Sequence, residues 1–208
     1  MNIVNKLNSK FRENKMLYIL VLVFFCIGIV LGTYTIKYMN TSDTTDLSNY
    51  FTTFINSLGD KPIDKKILFI DILKKNIVII ILILMLSFTI IGSPIILLVD
   101  LFKGFTLGYT FSFLITTFSG KGIWIALASI IPQNIFYIPF FIGISIISIE
   151  MSSIKLKEKF LNKGTKNNIF SNELLIKLGF LFCLFVVGVI IETFICPNLI
   201  KFISSKLY

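Results

Sequence analysis

Uninterrupted apolar runs of about 20 residues, the length that carries a helix across ~30 Å of hydrocarbon, recur along this 208-residue chain. They stand at 17–36, 77–99, 102–118, 123–149 and 174–196. Inside a bilayer each run must pair its backbone internally, which leaves helices or a closed barrel, and runs this continuous are helices. The expected fold is an all-α polytopic membrane protein, one integral membrane domain over residues 1–208 with about five transmembrane helices. Only 15% of the residues are charged, against about a quarter in a soluble domain, so an aqueous globule is excluded.

The formal net charge of +9 sits at the ends of the apolar runs, where it suits anionic headgroups. Arg12 is the sole arginine among the bases, and no nucleic-acid groove is expected. Lys6, Lys10, Arg12, Lys15, Lys103, Lys155, Lys157, Lys159, Lys163, Lys166 and Lys177 fall on one side of the five-span scheme. They outnumber Lys37, Lys61, Lys65, Lys66, Lys74, Lys75, Lys121, Lys201 and Lys206 on the other. The positive-inside rule then predicts a cytoplasmic N-terminus and an extracytoplasmic C-terminus. A basic stretch precedes the first run, but that run is long for a signal sequence and no A-x-A-like site follows, so an uncleaved first span is expected.

Two connections are sizeable: an outer loop at 37–76 and a cytoplasmic loop at 150–173. In the outer loop Leu47, Tyr50, Phe51, Phe54, Ile55 and Leu58 recur at helical spacing, which predicts an amphipathic helix capped by Asp46 and ended by Gly59. Its apolar face suits the bundle, a membrane surface or a partner, and these residues are partner-docking candidates. The segment 63–75 reads as an in-plane or elbow helix leading into the second span, with Asp64 and Asp71 as helical partners of lysines. The cytoplasmic loop is basic and polar and reads as solvated.

Within the spans, Gly28-x-x-x-Gly32 and Gly104-x-x-x-Gly108 each clear a groove for close helix approach. Packing within the chain and self-association as a homodimer are both open uses of them. Gly92-Ser93-Pro94 predicts a kink in the second span, because Pro94 has no N–H to donate. Pro132-Gln133-Asn134 and Pro139 fall inside a segment too long for one upright helix. Either the helix breaks there and the amides bind freed backbone groups, or 123–131 is a re-entrant arm. Glu192 lies near the outer end of the last span, before Cys196-Pro197, where the helix is expected to stop. Gln133, Asn134 and Glu192 are the intramembrane polar candidates, since such groups are costly in hydrocarbon without partners.

No histidine is present, which removes imidazole metal sites and Ser/His or Cys/His nucleophile pairs. Cys26, Cys183 and Cys196 form no CxxC, and no nucleotide loop, zinc spacing or Gly-x-Ser-x-Gly occurs. No catalytic residue, cofactor or metal is therefore expected, and the chain is not read as an enzyme. A hydrolase using the outer aspartates is the weakest alternative. A permease or channel subunit with a polar path at Gln133, Asn134 and Glu192 is the stronger one.

A series of marks in order resembles the stage II sporulation protein M family of bacterial membrane proteins. They are Asn76, Gly92-Ser93-Pro94, Lys103-Gly104-Phe105-Thr106-Leu107-Gly108, Lys121-Gly122-Ile123, Pro132-Gln133-Asn134 with Pro139, and Ile191-Glu192 followed by Pro197. Lys103 departs from the amide residue expected there. The resemblance implies a multi-pass protein of the bacterial cell membrane, on the mother-cell side of the sporulation septum. It implies a non-catalytic scaffold that acts with the stage II sporulation proteins D and P and positions peptidoglycan-cleaving enzymes during engulfment of the forespore. A partner span against Gly28 and Gly32 is a further expectation.

Overall fold

The computed structural model describes residues 15–60, 64–161 and 172–207, and among them it is helical with no strand. The elements are α1 (Lys15–Lys37), α2 (Thr41–Asp60), α3 (Lys65–Ser87), α4 (Gly92–Leu161), α5 (Asn172–Ile190), a π-helical segment (Ile191–Ile195) and α6 (Cys196–Leu207). Four helical stretches are long and apolar enough to cross a membrane: Lys15–Lys37, Gly92–Phe118, Gly122–Leu156 and Leu174–Ile203.

α1 buries Val21, Phe25, Gly28, Gly32 and Ile36, a single stripe at helical spacing, and leaves the rest of its apolar surface outside. In water such exposure would be a liability. In a bilayer it is the lipid-facing side.

The 70 residues of α4 would reach about 105 Å as one straight helix, some three bilayer cores. Instead α4 doubles back near residues 119–121 into two antiparallel arms, Gly92–Phe118 and Gly122–Leu156. The Ser93 N–H donates to Ser152 Oγ at 3.1 Å, Ser145 Oγ donates to Asp100 Oδ1 at 2.7 Å, and Gly122 lies against the backbone of Leu114 and Ile115. A β-carbon on Gly122 would overlap the Leu114 carbonyl, so the reversal requires glycine.

α1 runs parallel to the first arm of α4, and α5 runs antiparallel to the second, with Leu181 at Gly143 and Tyr137 at Gly188. α3 lies along the hairpin, with its Lys65 end near Phe194 and its other end near Lys155. One apolar cluster joins Val21, Ile72, Ile83, Tyr137, Phe140, Phe141 and Phe185; another, at the Lys37 end, joins Ile36, Phe113, Leu114, Ile125 and Ile130. Ile203 packs on that second cluster, so residues 15 and 203 lie at opposite ends of the bundle.

Several expectations are corrected. The run at 77–99 is not one span: α3 ends at Ser87, residues 88–91 form a turn, and Gly92-Ser93-Pro94 opens α4 instead of kinking a helix. Pro94 is third in α4, where an N–H would have no intrahelical acceptor, so its missing donor costs nothing there. Hydroxyls close the turn: Ser87 Oγ donates to the Leu84 carbonyl, Thr89 Oγ1 to that of Leu86 and Ser152 Oγ to that of Thr89. The third stretch accordingly starts at Gly92, which puts Lys103 inside a helix, not in a turn.

Segment 63–75 is not an in-plane helix. α3 starts at Lys65 and already buries Ile72 and Asn76 within the bundle. Asp64 caps it, accepting the N–H groups of Lys66 (2.9 Å) and Ile67 (3.4 Å), and so does not act as a helical lysine partner. Asp46 is not a cap and Gly59 does not end a helix, because α2 runs from Thr41 to Asp60 around both.

The second arm of α4 passes through Pro132 and Pro139 without a break, so neither the broken helix nor the re-entrant arm is present. The last helix is not stopped at Cys196-Pro197 and continues to Leu207. Its π segment accommodates Pro197: the Cys196 N–H reaches the Ile191 carbonyl, one residue further back than in an α-helix.

Candidate functional site

Both glycine pairs lie in one seam. β-carbons on Gly28 and Gly32 would collide with the carbonyls of Leu101 and Phe105, and those on Gly104 and Gly108 with the carbonyls of Phe25 and Ile29. Each helix thus presents glycines to the other's carbonyls, the close approach that lets Cα–H groups meet oxygen. With α1 fixed there, Phe25 joins α3, both arms of α4 and the π segment in walling a cavity of about 340 Å³.

The polar side chains on its lining are Lys75 and Asn76 from α3, Lys103, Thr106 and Thr110 from the first arm, Gln133, Asn134 and Tyr137 from the second, and Glu192 from the π segment. Gln133, Asn134 and Glu192, far apart in sequence, are therefore brought together. Glu192 Oε2 accepts from the Tyr137 hydroxyl at 2.6 Å, and Gln133 Oε1 accepts from Cys196 Sγ at 3.0 Å. The Asn134 Nδ2 group donates to the Ile130 carbonyl at 2.7 Å, one turn back in its own helix. Lys103 Nζ donates to Asn76 Oδ1 at 3.4 Å and stands 4.2 Å from the centre of the Phe141 ring. Asn76 Nδ2 in turn donates to the Ile72 carbonyl at 3.1 Å.

Pro132 and Pro139 give this stretch its particular backbone. Without their N–H groups the carbonyls four residues earlier have no intrahelical donor, and a helix carrying such gaps bends. The π segment adds a residue to its turn and points Glu192 toward Tyr137, and segments of this kind cluster at functional sites.

A second polar feature lies between the arms of α4. Asp100 is 2% exposed, and Ser145, Ser148 and Ser152 on the second arm are fully buried, with Ser145 opposite Asp100. Asp100 Oδ1 accepts from Ser145, whereas Asp100 Oδ2 and Ser148 Oγ have no partner. The Asp100–Ser145 bond, made inside an apolar bundle, raises the cost of separating the arms, whereas the two atoms without a partner are a cost of the packed state.

The docking candidates on α2 divide. Leu47 packs against the cluster at the Lys37 end, and Tyr50 is 77% exposed. Phe51, Phe54, Ile55 and Leu58 belong to the α2 helix, but their side chains lie outside the described residues.

Lys75, Asn76, Lys103 and Asp100 escaped the sequence reading as site residues. The signal was present: with a helix starting at Gly92, Asp100 and Lys103 fall mid-helix, where charged side chains mark function or buried partners.

The family model of stage II sporulation protein M matches residues 21–197. No curated protein and no solved structure matches the chain.

Proposed function

The chain belongs to the stage II sporulation protein M family, and from that premise we propose that it is a non-catalytic scaffold of the sporulation peptidoglycan-degrading complex. It positions wall hydrolases at the septum, from the mother-cell side, during engulfment of the forespore. The carrying observation is the extent of the match, which reaches from within α1 to Pro197 and so takes in α2, α3, α4, α5 and the π segment whole. The stage II sporulation proteins D and P supply the chemistry, and this chain supplies position.

In this reading the chain crosses the membrane five times, with α3 as the second crossing, the N-terminus cytoplasmic and the Lys37 end of the bundle outside. The glycine seam is occupied by the chain's own helices, which disfavours a partner span against Gly28 and Gly32. The exposed side of α2 around Tyr50 is then the docking surface. Affinity-tagged full-length protein from sporulating cells should retain proteins D and P, and Tyr50→Ala should reduce that recovery severalfold. Recovery of neither partner with the wild-type chain would overturn the scaffold assignment.

The convergence of Gln133, Asn134 and Glu192 on one cavity favours a second reading, a permease or channel subunit. Gln133→Leu with Asn134→Leu separates the two. A scaffold carrying both changes still recruits its partners and supports engulfment; a polar path recruits them and fails.

A further inference from the structure

The cavity holds more hydrogen-bonding capacity than the chain uses. Its cations are Lys75 and Lys103, and its one carboxylate, Glu192, is engaged by Tyr137. Among the described residues no carboxylate lies within ion-pair reach of Lys103; its partners are an amide oxygen at 3.4 Å and an aromatic ring. Glu192 attracts both lysines across the cavity, but two ammonium groups face one carboxylate, and the cation left over is costly midway along a membrane helix without a further anion. The Nε2 donors of Gln133 are also uncommitted, since only Oε1 is engaged. On the acceptor side, Glu192 Oε1 and Asn134 Oδ1 are unspent.

The unmet groups thus call for a ligand with anionic oxygens for Lys103, Lys75 and Gln133, and with donor hydroxyls for Glu192 and Asn134. The volume of about 340 Å³ lies at the low end of small-molecule sites and admits a headgroup rather than a whole lipid. Phe102, 66% exposed, and Thr106, also exposed, line the cavity on the outer surface of the first arm, so access is sideways, from the bilayer. We propose that this cavity binds a hydroxyl-bearing phosphate ester, the chemistry that a phosphatidylglycerol headgroup presents. Lys103 and Gln133 hold the phosphate, and Glu192 and Asn134 hold the hydroxyls.

The test is the melting temperature of the purified full-length protein in a neutral detergent, at constant ionic strength. The probes are dihexanoyl phosphatidylglycerol, dihexanoyl phosphatidylcholine and glycerol 3-phosphate. A ligand that binds only the folded state raises the melting temperature. Phosphatidylglycerol should raise it by several degrees and phosphatidylcholine should not. Measured against each variant's own baseline, the rise should fall by more than half in Lys103→Met and in Gln133→Leu. Lys159→Met, a change at an exposed lysine far along the second arm, should keep it. The same rise with glycerol 3-phosphate alone supports the site and assigns its ligand to the aqueous phase. No rise with either phosphate ester, or an undiminished rise in both cavity variants, overturns the proposal.

Discussion

The Tyr137 hydroxyl donates to Glu192 Oε2 across 2.6 Å, joining the second arm of α4 to the π segment of the last helix. Phe185 and Phe141 hold the Tyr137 ring at centroid distances of 6.2 and 6.4 Å, so the hydroxyl has little freedom to seek another partner. Hydrogen bonds between membrane helices couple by about 0.6 kcal/mol on average and about 1.7 at most. Short and held by packing, this one is expected near the upper figure. A double-mutant cycle of Tyr137→Phe and Glu192→Met, which remove the donor and the acceptor in turn, read by unfolding in mixed micelles, should give a coupling of about 1–2 kcal/mol. Additive effects would remove the bond from the account.

The glycines offer a paired comparison on one chain. Gly32→Ala forces a methyl group into the Phe105 carbonyl, a backbone atom that cannot step aside, and should cost about 1–3 kcal/mol. Gly179→Ala meets nothing within 4 Å in the middle of α5, and should stabilise by about 0.5–1 kcal/mol through helix propensity. The same unfolding assay checks both, and equal effects would mean that α1 does not dock where described.

Those glycines were legible as packing motifs, but nothing local said that one pair faces the other; that pairing is set by the parallel run of α1 beside α4. The first span and the start of the last were plain because charged or polar residues bracket their apolar runs. The break at 88–91 was hidden because Phe88, Ile90 and Ile91 are as apolar as their surroundings, and hydroxyl groups of Ser87, Thr89 and Ser152 close it without a charged or amide side chain. That error displaced Lys103 from the middle of a helix to a loop, and reading 63–75 as outside the membrane did the same to Lys75. The cavity lost its cations as a result. Gln133, Asn134 and Glu192 stood out singly by their cost in hydrocarbon, while their meeting depends on the hairpin and on the π segment.

Asp100 makes a discriminating probe of the hairpin. Asp100→Leu strands the fully buried Ser145 hydroxyl, and should cost about 1–3 kcal/mol. Asp100→Asn keeps the accepting oxygen and should cost less than half as much. The order of the two variants in thermal unfolding is the readout, and Asn as harmful as Leu would contradict the hydrogen-bond assignment.

At the start of α3, Asp64→Ala removes the acceptor of two N–H groups and should lower stability by about 1 kcal/mol, whereas Asp64→Ser should restore most of it. Hydrogen exchange at Lys66 and Ile67 reports the same loss locally. Unchanged exchange in Asp64→Ala would place the beginning of α3 elsewhere.

The central claim, a positional role in engulfment, is tested most directly by fluorescence microscopy of a deletion strain induced to sporulate, with a membrane dye outlining the septum and a complementing plasmid as control. The account predicts polar septa that form normally, a mother-cell membrane that fails to advance around the forespore, and recovery with the wild-type chain. Engulfment completed at the wild-type frequency in the deletion strain would contradict it.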